Sequence, residues 1–165
     1  MITVCSGGND KKNFSYKIIK KLKKIKDYKI QVILGKGVSF SNPVFKYKRD
    51  KNVTILKNQK NIFNLLNSSD IAFVTGGTTM FEAICCGTEP FVAQSYENQK
   101  FAIKYFMKNN LINYLGKVSK LKLNEIEKKI NNYTFSKKLF KKRINIIDGK
   151  GLTRVIKIID KIFEN

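Results

Sequence analysis

The chain has 165 residues, 42% of them hydrophobic, which is enough to bury the core of one compact domain covering residues 1–165. Its 33 Lys and Arg residues exceed its 12 Asp and Glu by 21, it contains three cysteines, and it has no histidine. These counts argue against a structural zinc site and a disulfide scaffold, and no apolar run approaches the roughly 18 residues of a membrane span. We therefore expect no bound metal and a cytoplasmic location.

Short apolar runs alternate with amphipathic stretches in the first part of the chain. The pattern predicts strands at 2–6, 29–35 and 53–56, and helices at 14–25 and 61–69. The stretch 36–52 has the weakest pattern and predicts a loop with a short helix.

The alternation continues to the end of the chain. It predicts strands at 70–75, 89–95 and 112–116, helices at 79–86 and 98–110, and two or three basic amphipathic helices in the tail. Strands that alternate with helices favour βαβ units with right-handed crossovers. The predicted fold class is α/β, with a Rossmann-like parallel sheet of about six strands, helices on both faces and the C-terminal helices packed across it.

The strand at 70–75 runs into two glycines and two threonines, Gly76, Gly77, Thr78 and Thr79. Ligands of open α/β sheets bind beyond the carboxyl ends of the strands, where the N–H groups of helix N-termini attract anions. Glycine lets the backbone approach a phosphate closely, and threonine adds a hydroxyl donor. The pattern is neither a Walker loop nor the dinucleotide fingerprint. A phosphate site and a tight structural turn therefore explain it equally well.

Glu82 follows Thr79 by three positions, which is the spacing of a capping box. The residues alone favour a helix cap over a ligand-binding carboxylate. Cys85 and Cys86 have no metal-ligand spacing and no partner base, so we expect free thiols in the core.

Lysine carries almost all of the positive charge, because Arg49, Arg143 and Arg154 are the only arginines. Base readout favours the planar fork of arginine, and few aromatic residues stand among the lysines of the tail, so nucleic acid is not the expected partner. The charge then reflects either solvated lysine-rich helix faces or a basic face that meets an anionic membrane or an acidic partner.

The stretch 74–99, VTGGTTMFEAICCGTEPFVAQSYENQ, resembles the UDP-binding half of GT-B nucleotide-sugar proteins. Within that group it is most similar to the UDP-sugar hydrolases of pseudaminic acid synthesis and their spore-coat polysaccharide relatives. The shared features are a GG[ST] turn, a glutamate in the following helix, a glycine shortly before a proline and a late ENQ. The opening ITVCSGGNDKKNFS resembles the first strand and Gly-Gly loop of the same domain. Glu89 departs from the family, which has a small or apolar residue before the proline.

The resemblance implies four groups of site residues and no cofactor besides UDP or a UDP-sugar as ligand. They are a diphosphate-binding turn, a ribose-binding carboxylate, a pair facing the sugar or the phosphates, and a cleft loop: Gly76, Gly77, Thr78 and Thr79; Glu82; Asn98 and Gln99; and Gly7, Gly8 and Asn9.

The chain departs from these hydrolases because it has neither their amino-terminal half nor their catalytic histidine. Proton transfer within this chain would fall to Glu82, Asp10, Glu97 or a lysine, and no catalytic residue is assigned. The resemblance implies the donor-binding half of a UDP-sugar hydrolase of surface-polysaccharide or nonulosonic-acid (pseudaminic-type) biosynthesis, active only with a protein partner or a missing N-terminal half.

Two alternatives stay open: the donor-binding subunit of a split glycosyltransferase with a membrane-bound partner, and a non-catalytic nucleotide-binding module. The first adds the expectation of peripheral contact with the anionic inner face of the membrane.

Overall fold

The computed structural model describes residues 1–26 and 28–163 and contains a six-stranded, all-parallel sheet with the strand order β3-β2-β1-β4-β5-β6. The strands are Ile2–Cys5 (β1), Ile30–Leu34 (β2), Val53–Lys57 (β3), Ile71–Thr75 (β4), Glu89–Gln94 (β5) and Asn113–Lys117 (β6). All of the predicted strands are present, and the predicted α/β fold class is confirmed.

The described residues form seven α-helices. They are Phe14–Ile25 (α1), Phe63–Asn67 (α2), Thr78–Cys85 (α3), Lys100–Lys108 (α4), Leu123–Asn131 (α5), Lys137–Ile146 (α6) and Gly151–Phe163 (α7). The weakly patterned stretch contains a short 3-10 helix, Pro43–Tyr47, which starts where the Asn42 side chain accepts a hydrogen bond from the Val44 amide.

The sheet is buried on both faces, which is why its central strands are mainly apolar. Successive residues of β4 serve opposite faces: Phe73 packs in the core cluster beneath α1 and α5, and Val74 packs in the cluster beneath α3 and α4. The apolar side of α1 faces the sheet, and Phe14 and Leu22 on this side are fully buried. Apolar residues at helical spacing therefore form the core-facing side of this amphipathic helix.

A buried ion pair fixes α6 to the sheet and explains the unusual residue before the proline. The Arg143 side chain is buried, with 3% of its surface exposed. Its Nη1 lies 2.6 Å from Oε2 of Glu89, and its Nε donates a hydrogen bond to the Leu111 carbonyl at 3.0 Å. Asn113 donates to the other oxygen of Glu89 at 2.6 Å. Glu89 is thus a structural anchor at the start of β5.

The prediction that the C-terminal helices pack across the sheet is correct for α5 and α6 and wrong for α7. Ile126 and Ile130 of α5 are buried against the α1 side, and α6 packs against α3. All thirteen residues of α7 are exposed to solvent. Within residues 1–26 and 28–163, no helix has both the length and the apolar composition that crossing a bilayer requires.

The strand order creates a switch point between β1 and β4. The chain leaves β1 toward β2 on one side, whereas β4 lies on the other side, with Cys5 of β1 in register with Val74 of β4. The loops that follow these two strands diverge, and a crevice opens between them at the carboxyl edge of the sheet. Ligands of this class of fold bind at such a crevice.

Candidate functional site

The two glycine turns predicted from the sequence flank a cleft at this switch point. The cleft has a volume of about 350 Å³ and is lined by Gly7 and Gly8 after β1 and by Thr78, Thr79 and Glu82 of α3. The structure therefore brings together residues from three of the four predicted groups. These residues are far apart in sequence and meet because β1 and β4 are neighbouring strands.

The N-terminus of α3 is uncapped and points its first amides at the cleft. Gly77 is the N-cap residue, and no side chain of the described residues bonds the amides that follow it. The Met80 amide donates to the Gly77 carbonyl at 3.0 Å, which leaves the amides of Thr78 and Thr79 without an acceptor in the described part of the chain. Such a helix start carries a partial positive charge and favours an anion.

The expected capping box between Thr79 and Glu82 is wrong. The helix begins one residue earlier than predicted, so Thr79 occupies its second position and is buried beside the Cys5 thiol. Burial, the largest effect on this thiol, raises the pKa of Cys5, so the thiol stays protonated at neutral pH. Only Thr78 presents an exposed hydroxyl at the helix start.

Glu82 is an exposed carboxylate on the cleft side of α3, with no ion pair inside residues 1–26 and 28–163. It lies one helical turn beyond Thr78. Because it takes no part in capping, its carboxylate is available to accept hydrogen bonds from a ligand. This removes the helix-cap interpretation that the residues alone favoured.

The two glycines of the turn have different roles. A Cβ on Gly76 would lie 2.5 Å from Cδ1 of Ile103 on α4, so Gly76 is required for the packing of that helix. A Cβ on Gly77 would meet only Nε2 of Gln99, at an ordinary 3.7 Å, and the Gly77 backbone angles of −89° and −158° are open to any residue. The fold thus gives no structural reason for a glycine at position 77.

The predicted pair Asn98 and Gln99 lies beside the turn and outside the cleft lining. Oε1 of Gln99 accepts from the amides of Ser95 and Tyr96 at 2.8 and 3.3 Å, which folds the loop after β5 against Gly77. Asn98 is exposed in the same short 3-10 helix, Glu97–Gln99. Gln99 therefore positions the turn in this structure, and only Asn98 of the pair has its side chain in solvent.

The predicted cleft loop divides between two neighbouring depressions. Gly7 and Gly8 line the main cleft, whereas Asn9 lines a second depression of about 300 Å³. A Cβ on Gly35, which follows β2, would lie 2.4 Å from the Cα of Gly8. The turn after β2 therefore supports the loop after β1 by direct backbone contact.

The sequence analysis missed the wall of the cleft that follows β2 and β3. Gly35, Lys36, Asn58 and Lys60 follow β2 and β3 and line the cleft on the side away from β5. The two lysines supply positive charge on the wall that faces α3. The sequence signal was weak because single lysines in a chain with 33 basic residues carry little information. A glycine at the end of a predicted strand was the one useful indication.

The acidic residues considered for proton transfer are poorly suited to it. Asp10 is 4% exposed, and its carboxylate accepts from the Ser15 amide and from Asn42 at 3.1 Å each. Burial raises the pKa of Asp10, but these bonds commit it to holding the loop before α1. Lys117 and Lys100 lower the pKa of Glu97, which makes it a weaker base.

Metal-ligating side chains do not cluster in the described residues. Within residues 1–26 and 28–163, no group of three Asp, Glu, Cys or His side chains is placed to hold a metal ion. The cleft offers amides, hydroxyls, one carboxylate and lysines, which together suit an organic anion.

Solved glycosyltransferases share this fold. The glycotransferase of kitacinnamycin superposes with a TM-score of 0.72 over 97% of this chain and 42% of its own, at 13% identity. Arabidopsis thaliana UGT89C1, solved in complex with UDP-L-rhamnose, gives 0.66 over 90% of this chain and 38% of its own, at 9% identity. The calicheamicin glycosyltransferase CalG4 gives 0.66 over 97% and 41%, at 12% identity. The fold is that of one half of a GT-B glycosyltransferase.

Sequence comparison adds two relatives and a family. The spore coat polysaccharide biosynthesis protein SpsG of Bacillus subtilis (strain 168) is 24% identical over 99% of this chain and 50% of its own length. The uncharacterized protein MJ1062 of Methanocaldococcus jannaschii is 28% identical over 98% of this chain and 31% of its own. This chain thus spans half or less of the relatives it matches. The model of a protein family of unknown function, DUF354, matches residues 3–165, and the chain belongs to that family.

Proposed function

We propose that this chain binds the UDP moiety of a nucleotide sugar and forms the donor-binding half of a UDP-sugar hydrolase in surface-polysaccharide or pseudaminic-type nonulosonic-acid biosynthesis. The diphosphate lies over the start of α3, and the ribose hydroxyls donate to Glu82. One observation carries the proposal: the uncapped start of α3 and Glu82 line one cleft at the switch point of the sheet, and Gly77 directly precedes that helix start.

The proposed diphosphate contacts follow from charge and geometry. The amides of Thr78 and Thr79, together with the Thr78 hydroxyl, donate to phosphate oxygens, and the helix dipole opposes their charge. The absence of a side chain at Gly77 lets the phosphate approach the backbone. Lys36 and Lys60 supply further positive charge from the opposite wall. The net charge of +21 draws the anionic ligand toward the protein.

The proposed reaction needs a group from outside this chain. Water attacks C1 of the sugar, the bond from C1 to the diphosphate oxygen breaks, and UDP leaves with the bonding electrons. The contacts at α3 stabilise the charge that develops on UDP. The base that takes the proton of water comes from a partner protein or another domain, because the chain has no histidine and Asp10 and Glu97 are committed to other contacts. The similarity to half of SpsG supports this division of the site.

A second candidate is the donor-binding half of a glycosyltransferase, in which an acceptor hydroxyl replaces water. The shared fold with solved glycosyltransferases, one of them in complex with UDP-L-rhamnose, favours it. A nucleotide-binding module without catalysis would use the same contacts. All three functions require UDP in the cleft, so binding is tested before turnover.

Isothermal titration calorimetry with UDP tests the proposal. We expect saturable binding that Thr78→Val weakens, because the variant loses a hydroxyl donor and keeps the shape of the side chain. Thr153→Val is the matched control, since it removes an exposed threonine hydroxyl from the first turn of α7. An absence of heat with UDP, or equal affinity in Thr78→Val and Thr153→Val, would contradict the proposed site.

A further inference from the structure

A groove between α1 and α5 is lined by positive charge on the face of the sheet opposite α3. It has a volume of about 420 Å³ and includes apolar surface of Tyr16 and Leu123. Its lining contains no carboxylate of the described residues and four lysines, Lys17, Lys20, Lys21 and Lys24. The groove shares no residue with the cleft at the switch point, because α1 and α3 pack on opposite faces of the sheet.

The sequence of α1 gathers these lysines on one side of the helix. Their spacing of three, four and seven positions places them within an arc of about 100° and along about 10 Å of the helix axis. Like charges three or four positions apart repel and destabilise a helix. Helix α5 avoids this cost, because Glu125 and Glu127 stand among its lysines, whereas α1 has no acidic residue. A bound anion would therefore relieve a repulsion that is built into α1.

Two of the lysines are held at the groove by contacts with neighbouring segments. The Lys17 ammonium donates to the Val118 carbonyl at 3.5 Å, and Lys21 forms an ion pair with Glu127 at 3.1 Å. The Lys21 side chain is only 18% exposed. These contacts fix the positions of two ammonium groups before a ligand arrives, which lowers the entropic cost of binding.

The other two lysines are available to a ligand. Lys20 and Lys24 are exposed, and within residues 1–26 and 28–163 neither has an acidic partner. The Lys20 ammonium lies 5.9 Å from the centre of the Tyr16 ring, which holds its side chain along the groove. Four ammonium groups thus border one concave surface, and Lys21 alone among them is paired with a carboxylate of the described residues.

We propose that the groove is a second anion-binding site and takes a ligand that carries at least two phosphate groups. Each phosphate offers several acceptor oxygens and up to two negative charges, so more than one ammonium can bind it. Lysine binds phosphate as a point charge, whereas a planar carboxylate is matched better by arginine. A groove lined by one sign of charge also concentrates such anions near its surface. The inference does not depend on what the cleft at α3 binds.

Nuclear magnetic resonance of the ¹⁵N-labelled chain, titrated with tripolyphosphate, tests the inference. We expect saturable shifts of the backbone amides of α1 and of the start of α5, and weaker binding at higher salt, because the interaction is electrostatic. The amides of Thr78 and Thr79 report on the cleft in the same spectra. Failure at one site is therefore distinguished from failure at the other.

A pair of double variants separates the groove from the general positive charge of the chain. Lys20→Gln/Lys24→Gln removes the two available charges and should weaken tripolyphosphate binding at α1 by about tenfold. Lys104→Gln/Lys108→Gln is the matched control, since it removes two exposed lysines at the same spacing from α4, on the opposite face of the sheet. It lowers the net charge equally and should weaken this binding by less than about twofold. All four side chains are exposed, so the spectra should show an intact fold in both variants.

Three results would overturn the inference. They are the absence of saturable shifts at α1, equal losses of affinity in the two double variants, and binding of citrate at α1 as tight as that of tripolyphosphate, which would assign the groove to carboxylates. Sedimentation with phosphatidylcholine vesicles, with and without phosphatidylglycerol, then identifies the source of the phosphate. A loss of sedimentation confined to Lys20→Gln/Lys24→Gln indicates lipid headgroups, and equal behaviour of the two variants indicates a soluble ligand.

Discussion

Separate substitutions of the two glycines before α3 should distinguish the glycine that the fold requires from the glycine that ligand binding requires. Gly76→Ala would place a Cβ 2.5 Å from Cδ1 of Ile103, and overpacking of this kind costs about 1–3 kcal/mol of stability. Gly77→Val meets only Gln99, in a backbone conformation that valine adopts, so its cost is the weaker N-cap, about 1 kcal/mol.

The effect of Gly77→Val on UDP should be much larger than its effect on stability. A valine side chain at the turn holds the phosphate away from the amides of Thr78 and Thr79. Hydrogen bonds to charged groups are worth about 1.5–3 kcal/mol each, so the loss of two weakens binding by about a hundredfold or more.

Calorimetry with UDP and thermal unfolding followed by circular dichroism measure the two effects on the same samples. We expect a melting temperature close to that of the parent chain and no measurable UDP binding for Gly77→Val. Unchanged UDP affinity in a folded Gly77→Val protein would refute the argument that the missing side chain serves the ligand. If the variant unfolds, the Thr78→Val comparison carries the test.

Particular contacts support three further predictions. Glu82→Gln should reduce the preference for UDP over 2′-deoxy-UDP in competition titrations while leaving stability unchanged, because Glu82 caps nothing; an unaltered preference would remove it from the ribose site. Arg143→Met should lower the free energy of unfolding in urea by about 3–5 kcal/mol, because Glu89 would stay buried without its partner; a change below about 1 kcal/mol would contradict the anchoring role. Burial raises the pKa of Cys86 to about 11, so the folded state binds the thiol proton more tightly than the unfolded state does. This proton stabilises the folded state below the ordinary thiol pKa of 9.0, and the stabilisation should be lost as the pH rises toward 11. Urea unfolding of the parent chain and Cys86→Ala across that range should show the difference, and identical pH dependence would contradict it.

The strands were predictable because a parallel sheet covered on both faces needs nearly continuous apolar runs. Residues 71–75 and 30–34 are such runs, and each ends at a polar or glycine turn. Core-facing positions of α1 were equally clear from their helical spacing. In these segments, local pattern and tertiary environment impose the same choice of residue.

The chemistry of the turn was less predictable, because it depends on contacts between distant segments. Gly76 and Gly77 are equivalent in sequence, and only the position of Ile103 on α4 distinguishes them. The pairing of Glu89 with Arg143 joins β5 to α6, so neither residue reveals it alone. The sequence also predicted that α7 packs across the sheet, whereas the helix is exposed. Its amphipathic pattern suits either a helix packed on a core or a helix that binds another surface, so the pattern alone could not distinguish the two.

A crystal structure of the chain soaked in UDP tests the central claim most directly. The account predicts phosphate oxygens within hydrogen-bonding distance of the Thr78 and Thr79 amides and ribose hydroxyls beside Glu82. Density for UDP at another place on the molecule, or a phosphate turned away from the start of α3, would contradict it.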